Sequence, residues 1–317
     1  MPTANRFVMR QDKSLRAFLF LGLGMLASGV LAQGKGVPPS TNVTPPEGMA
    51  APHPAVELRQ LVYDTYSYAN STIHVLRIPA QGPYQVIPEL SPHLETVEEF
   101  AQRTGAIAVL NAGFFDPQNT KTTSYVLIQG ELAADPRLNE GLMGNPNLTP
   151  YLSQILNRSE FRRYDCQGQI RYDIVFHSAP TPLDCERLDA IGAGPQLLPA
   201  MTAVEEGFID YAEGRVIRDA LGSQRPNART AIGLTPTGDI VWVMAAQKPD
   251  APTQSGVSFE ELANFLNELG VEKAMNLDGG SSSSLYYNGA AYYGRVDREG
   301  NLIHRPIKSV LLIQPWN

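Results

Sequence analysis

Apolar and polar positions alternate in short blocks along most of the chain. Runs with the two-residue rhythm or compact apolar content of strands occur at Val56 to Tyr63, Ile73 to Ile78, Ile107 to Leu110, Tyr125 to Ile128, Ile170 to Phe176, Ile240 to Met244 and Val310 to Ile313. Two segments carry helix-start signals instead. Thr96 with Glu99 forms a capping box that predicts a helix to Arg103, ahead of Gly105, and Ser258 with Glu261 predicts another that Gly270 ends. In the second, Phe259, Leu262, Phe265, Leu266 and Leu269 recur at helical spacing and mark a face that packs on a sheet. Asn288-Gly289, between Leu285-Tyr286-Tyr287 and Tyr292-Tyr293, reads as a hairpin turn. No internal repeat is visible. The expected fold is a single α+β domain over residues 56–317, with a central twisted, largely antiparallel or mixed sheet flanked by helices.

The first 55 residues break this pattern. Arg6, Arg10, Lys13 and Arg16 precede an uncharged apolar run from Ala17 to Leu31, and Val30-Leu31-Ala32 supplies the small residues a signal peptidase accepts. The run is shorter than the ~20 residues a membrane-spanning helix needs, so residues 1–32 are expected to be a cleaved export leader, leaving no transmembrane span. The protein is then periplasmic or extracellular. Residues 33–55 include Pro38-Pro39, Pro45-Pro46 and Pro52-His53-Pro54 with few large apolar side chains, the composition of an extended linker.

Composition sharpens this picture in three ways. The 27 Gly and 25 Pro among 317 residues favour many turns and short strands over a helical bundle. The net charge of −7 becomes −10 when the leader takes four basic residues and one acid with it, which gives no general attraction to nucleic acid or an anionic membrane. An anionic ligand must therefore be held by a few placed cations and amides. The only two cysteines, Cys166 and Cys185, have no metal-site spacing, and in an oxidising compartment a disulfide between them is the favoured reading.

Four polar clusters carry candidate chemistry. Asn276-Leu277-Asp278-Gly279-Gly280-Ser281-Ser282 sets a carboxylate before two glycines and a run of hydroxyls, a composition that presents N–H and O–H donors to an oxyanion or phosphate. Asn111-Ala112-Gly113-Phe114-Phe115-Asp116 follows a buried strand, with Asn111 at its end and Gly113 permitting a sharp bend. Asn227-Ala228-Arg229-Thr230-Ala231-Ile232-Gly233 leads an Arg into an apolar strand, and His304-Arg305-Pro306 enters the last strand. Singly, each is also compatible with a turn, a core strand or a solvated edge.

Together with Gly192-Ala193-Gly194-Pro195, and in this order along the chain, these motifs resemble the phosphodiester glycosidase family, which has a lysosomal uncovering enzyme and bacterial exported members linked to exopolysaccharide. The resemblance runs from about Leu58 to Pro315. It implies cleavage of a sugar C1–O–phosphate bond to a free sugar and a phosphomonoester. Asp278 and Asp116 become the candidates for nucleophile or base and its partner carboxylate, in an order the sequence does not rank. Arg229, Thr230, Arg305 and the segment Gly279, Gly280, Ser281 and Ser282 would hold the phosphate, with Asn111 and Gly113 at the sugar or phosphate. His304 stands where the family often has an acid, so no carboxylate role carries over there. Residues 138–163 match no part of the pattern and suggest a substrate-selecting insertion.

Other chemistries fit less well. No GxSxG elbow accompanies the serine run, though His177 and His304 remain available as bases, and zinc-ligand spacing is absent. No cofactor is required; a calcium or magnesium ion held by Asp116, Asp278 and carbonyl oxygens is compatible with the residues. The competing reading from another class is a non-catalytic envelope protein that binds exopolysaccharide or sugar phosphate. Either way the expected partner is a sugar-phosphate or glycan.

Overall fold

The computed structural model describes residues 60–316, so the expected leader and Pro-rich linker, and Val56 to Arg59 of the first expected strand, lie outside the described residues. Strands β1 (Val62–Tyr68), β2 (Ser71–Ile78) and β3 (Tyr84–Glu95) lead into helix α1 (Val97–Thr104), followed by β4 (Ala108–Asn111), β5 (Val126–Ile128) and β6 (Glu131–Ala134). Two four-residue helices, α2 (Glu140–Met143) and α3 (Leu152–Ile155), precede β7 (Ser159–Cys166), β8 (Gln169–Phe176), β9 (Glu186–Gly192) and β10 (Gln196–Leu198). The hairpin β11 (Ile209–Ala212) and β12 (Arg215–Asp219) comes next, then β13 (Arg229–Leu234), β14 (Ile240–Ala246), helix α4 (Phe259–Glu268), β15 (Lys273–Asn276), β16 (Ser284–Tyr287), β17 (Ala290–Tyr293) and β18 (Ile307–Pro315).

These strands form three main sheets, in the orders β1-β2-β14-β13-β15-β10, β17-β16-β4-β18-β3 and β6-β5-β9-β7-β8, and the pairings within them are antiparallel. The expectation of an α+β fold around one sheet is corrected here to a mostly antiparallel β fold. The reason lies in the side-chain rhythm. Along β14, Trp242 and Met244 enter a core shared with Leu110 of β4, Leu311 of β18 and Phe161 of β7, while Val241, Val243 and Ala245 face α4. Sheets thus pack on sheets, and helices are left to cover outer faces.

The two longer helices begin where the capping boxes predicted, with both reciprocal bonds of Thr96–Glu99 and of Ser258–Glu261 formed. Helix α4 lays Phe259, Leu262, Phe265 and Leu266 on the six-stranded sheet. Helix α1 lays Val97 and Phe100 against Val109, Val310 and Leu312 on the outer face of the second. Cys166, at the end of β7, is bonded to Cys185 just before β9. Among the described residues no helix is long and apolar enough to cross a membrane.

Candidate active site

The site is assembled at the ends of strands from different sheets. In the six-stranded sheet β13 and β15 run antiparallel, with Ala231 opposite Asn276, so the start of β13 lies beside the exit of β15. The exit of β4 reaches the same place. There the Asn111 side chain, buried, accepts from Thr230 Oγ1 at 2.8 Å and from the Ser284 amide at 2.9 Å, and donates through Nδ2 to the Asp278 carbonyl at 2.5 Å. The Asp278 amide in turn donates to the Ala112 carbonyl at 2.8 Å. Asn111 and Thr230, expected at the substrate, are brought together as internal braces that fix the backbone of Asp278. Gly113 is needed for close approach: a Cβ there would stand 3.1 Å from both the Gly192 carbonyl and Ser309 Oγ.

Asp278 keeps part of its surface open, yet its carboxyl is crowded by protein, and this desolvation pushes its pKa up to about 6. A hydrogen bond from Ser282, the charge of Arg305 and the Gly279 N–H pull in the opposite direction without cancelling the burial. Arg305 donates through Nη1 to Ser281 Oγ at 2.7 Å, and its Cζ lies 5.1 Å from the centre of the Phe115 ring. Asp278, Ser281, Ser282 and Arg305 thus lie together in space, and Phe115, itself buried in the core, seats the guanidinium. Only the fold could reveal that contact, because 190 positions separate the two residues in the chain.

The Gly279 to Ser282 segment differs from an open row of donors. Gly280 takes a left-handed conformation at φ +60° and donates its N–H to the Ala228 carbonyl, while the Ser282 amide turns back to the Gly279 carbonyl. The expected phosphate cradle of loop amides is thus corrected at Gly280 and Ser282, whose N–H groups are spent in closing the turn. The Ser281 hydroxyl and Arg305 supply the polar surface instead, since Ser282 is buried.

Two expected residues are placed elsewhere. Arg229 is buried, and its guanidinium makes four hydrogen bonds, to the carbonyls of Val257, Leu221, Gly222 and Arg225, while stacking 4.4 Å from the Phe259 ring centre. Burial pushes its pKa down to about 10. It ties the start of β13 to the 221–225 loop and to α4, which corrects the expectation of a free phosphate clamp. Asp116 accepts from the Gln118 amide at 2.8 Å, a turn within its own loop, and its other oxygen faces Gly141, where a Cβ would collide with it. Among the described residues there is no cluster of three or more His, Cys, Asp or Glu side chains suited to a metal ion. A cleft of about 630 Å³, lined by Tyr84, Tyr172, Lys273 and Trp316, lies at the opposite ends of the strands, where Leu234 and Lys273 stand, and takes no part in this cluster.

Solved structures resemble the protein in fold. The catalytic domain of zebrafish N-acetylglucosamine-1-phosphodiester alpha-N-acetylglucosaminidase, auto-inhibited by its pro-peptide, aligns with a TM-score of 0.58 at 17% identity, covering 84% of this chain and 87% of that one. A protein of Burkholderia pseudomallei described as exported aligns with a TM-score of 0.57 at 16% identity, covering 80% and 74%, and a hypothetical protein of Synechocystis with 0.52 at 15%, covering 80% and 62%. No curated protein sequence matches the chain. The sequence model of the phosphodiester glycosidases matches residues 104–314, a span that holds Asn111, Asp278, Ser281 and Arg305 together. With more than half of the chain inside that match, the protein belongs to the phosphodiester glycosidase family.

Proposed function

We propose that the protein is an exported hydrolase that cleaves the C1–O bond of a sugar-1-phosphodiester, releasing the free sugar and a phosphomonoester, in polysaccharide or cell-envelope glycan metabolism. The observation that carries this reading is the Asp278 carboxyl, pushed up to about 6 by burial and set beside the Arg305–Ser281 pair. Breaking a glycosidic bond builds positive charge at C1 and the ring oxygen, which a nearby carboxylate stabilises. The bonding electrons leave with the phosphate oxygen, so the departing group needs its negative charge held more than it needs a proton. Arg305 and the Ser281 hydroxyl are the groups for that task.

In this reading a water oxygen bonds to C1 and Asp278 takes the proton that water gives up. A carboxylate with a pKa near 6 is ionised at neutral pH yet basic enough to accept that proton, which suits a base better than a nucleophile. Asp116, engaged in its own turn, is left out of the step. Export is supported by the leader-like pattern of residues 1–32, by the Cys166–Cys185 bond, which suits an oxidising compartment, and by a structural neighbour described as exported.

The test is phosphorus NMR of the protein with a panel of sugar-1-phosphodiesters. A new monoester resonance that wild type produces and Asp278→Asn does not is the expected result. Saturable binding across the panel with no turnover would overturn the reading in favour of a non-catalytic sugar-phosphate binder.

A further inference from the structure

The consecutive rings of Phe114 and Phe115 each carry a guanidinium. Arg305 serves Phe115, and Arg158, which stands one residue before β7, lies 5.8 Å from the Phe114 centre and 3.7 Å from that of Phe208. This seat is built on the backbone that carries Asp278. Phe114 is two residues beyond Ala112, which accepts the Asp278 amide, and Phe208 lies against Gly194, whose amide donates to the Asn276 carbonyl.

Arg158 has a companion held in the same way. Arg158 Nε donates to the Glu206 carbonyl at 3.1 Å, and Arg218 Nε donates to the next carbonyl, Gly207, at 2.8 Å, with the Arg218 guanidinium 4.5 Å from the Tyr151 ring centre. Each side chain is thus fixed by one carbonyl and a ring beneath it, and among the described residues the terminal nitrogens of both have no hydrogen-bond partner and are not sealed from solvent. The nearby Glu206 carboxylate favours the charged form of Arg158, but its oxygens are engaged by other donors. It accepts from Ser159 N and Oγ, Thr202 Oγ1 and Gln196 N, and burial raises its pKa. Burial pushes Arg158 down to about 9 against the opposing charge of Glu206, with the charge of Arg218 adding to the fall, so a bound anion would stabilise the charged form.

We infer that Arg158 and Arg218 form a second anion subsite beside the Asp278 site, one that takes a phosphate group carried by the substrate away from the scissile bond. Two planar forks with unspent N–H pairs match phosphate oxygens in geometry as well as charge. Arg158 and Arg218 both lie outside the motifs that carried the family resemblance, so this subsite would add to substrate choice without belonging to the reacting centre. Its role in turnover rests on the reading of Asp278 given above; its capacity to bind phosphate does not.

The experiment compares two esters of one sugar-1-phosphate, the methyl ester and the ester of glycerol 3-phosphate, which adds a second phosphate. Wild type should show the lower KM for the second. Arg158→Gln and Arg218→Gln should each raise that KM roughly tenfold, leave the methyl ester unchanged and keep kcat, with Arg158→Lys intermediate. Equal effects on both esters, or none, would overturn the subsite. Should Arg158→Gln fold poorly, Arg218→Gln carries the comparison. If wild type turns over neither ester, the Asp278 reading fails, and calorimetric titration with inorganic pyrophosphate still decides the subsite: binding lost in either Gln variant supports it, and binding equal to wild type removes it.

Discussion

Asn111 Nδ2 holds the main-chain carbonyl of Asp278 at 2.5 Å, across 167 residues of sequence. The same carboxamide accepts from Thr230 and Ser284, so one buried side chain joins the exit of β4 to the start of β13 and to the loop that presents the carboxylate. Replacing Asn111 by Ala leaves the Thr230 hydroxyl, the Ser284 amide and the Asp278 carbonyl without these partners. The expected cost is about 3 kcal/mol or more, read from denaturant unfolding, with a fall in turnover in the fraction that stays folded. A variant as stable and active as wild type would show that Asn111 braces nothing.

Asp278 makes its surroundings less stable when it is charged. Its folded pKa, about 6, lies above the ordinary 3.8, so the folded state holds the proton more tightly than the unfolded chain. Stability is therefore full below about pH 4, declines as pH rises to 6 and is level above. Asp278→Asn keeps the neutral shape and is expected to stabilise the protein by roughly 1–3 kcal/mol at pH 8 and by little at pH 4. Thermal melts at the two pH values check this, and a destabilised variant at pH 8 would contradict it.

Arg305 favours the ionised form of Asp278. Removing that charge in Arg305→Gln is expected to move the acidic limb of kcat/KM upward from about pH 6, in addition to weakening phosphate binding. A pH profile of unchanged limb position would separate Arg305 electrically from Asp278.

Arg229 predicts the opposite phenotype. Because its guanidinium is spent on four carbonyls, Arg229→Gln should lower stability by about 3 kcal/mol while leaving KM near wild type in the folded protein. A raised KM with unchanged melting temperature would return Arg229 to the substrate.

Local signals made the two capping boxes, the Asn288-Gly289 hairpin and the apolar strands β2, β4, β8, β14 and β18 legible in advance, because each rests on neighbours in sequence. Strands β3 and β7 were hidden for different reasons. β3 contains Pro88 and Pro92, which a central strand would not accept, and it is tolerated as the edge of its sheet. β7 reads as charged through Glu160, Arg162 and Arg163, yet is buried, because Arg162 pairs with Glu160 at 2.7 Å and Arg163 with Asp189 at 2.6 Å. The Val56 to Tyr63 expectation overlaps β1 only at its end, which runs on to Tyr68.

For the candidate site, residue types and their order marked Asp278, the glycine-serine turn and Arg305 on the same footing as Asp116 and Arg229, since a carboxylate, hydroxyls and a cation are chemical facts of the chain. Which donors remain for a ligand was decided by tertiary contacts. Arg229 and Arg305 look alike in sequence, each an arginine beside an apolar strand, but four carbonyls surround the first and a serine hydroxyl and an aromatic ring the second. A polar group buried by folding must find partners there, and those it finds set how much of it is left for chemistry.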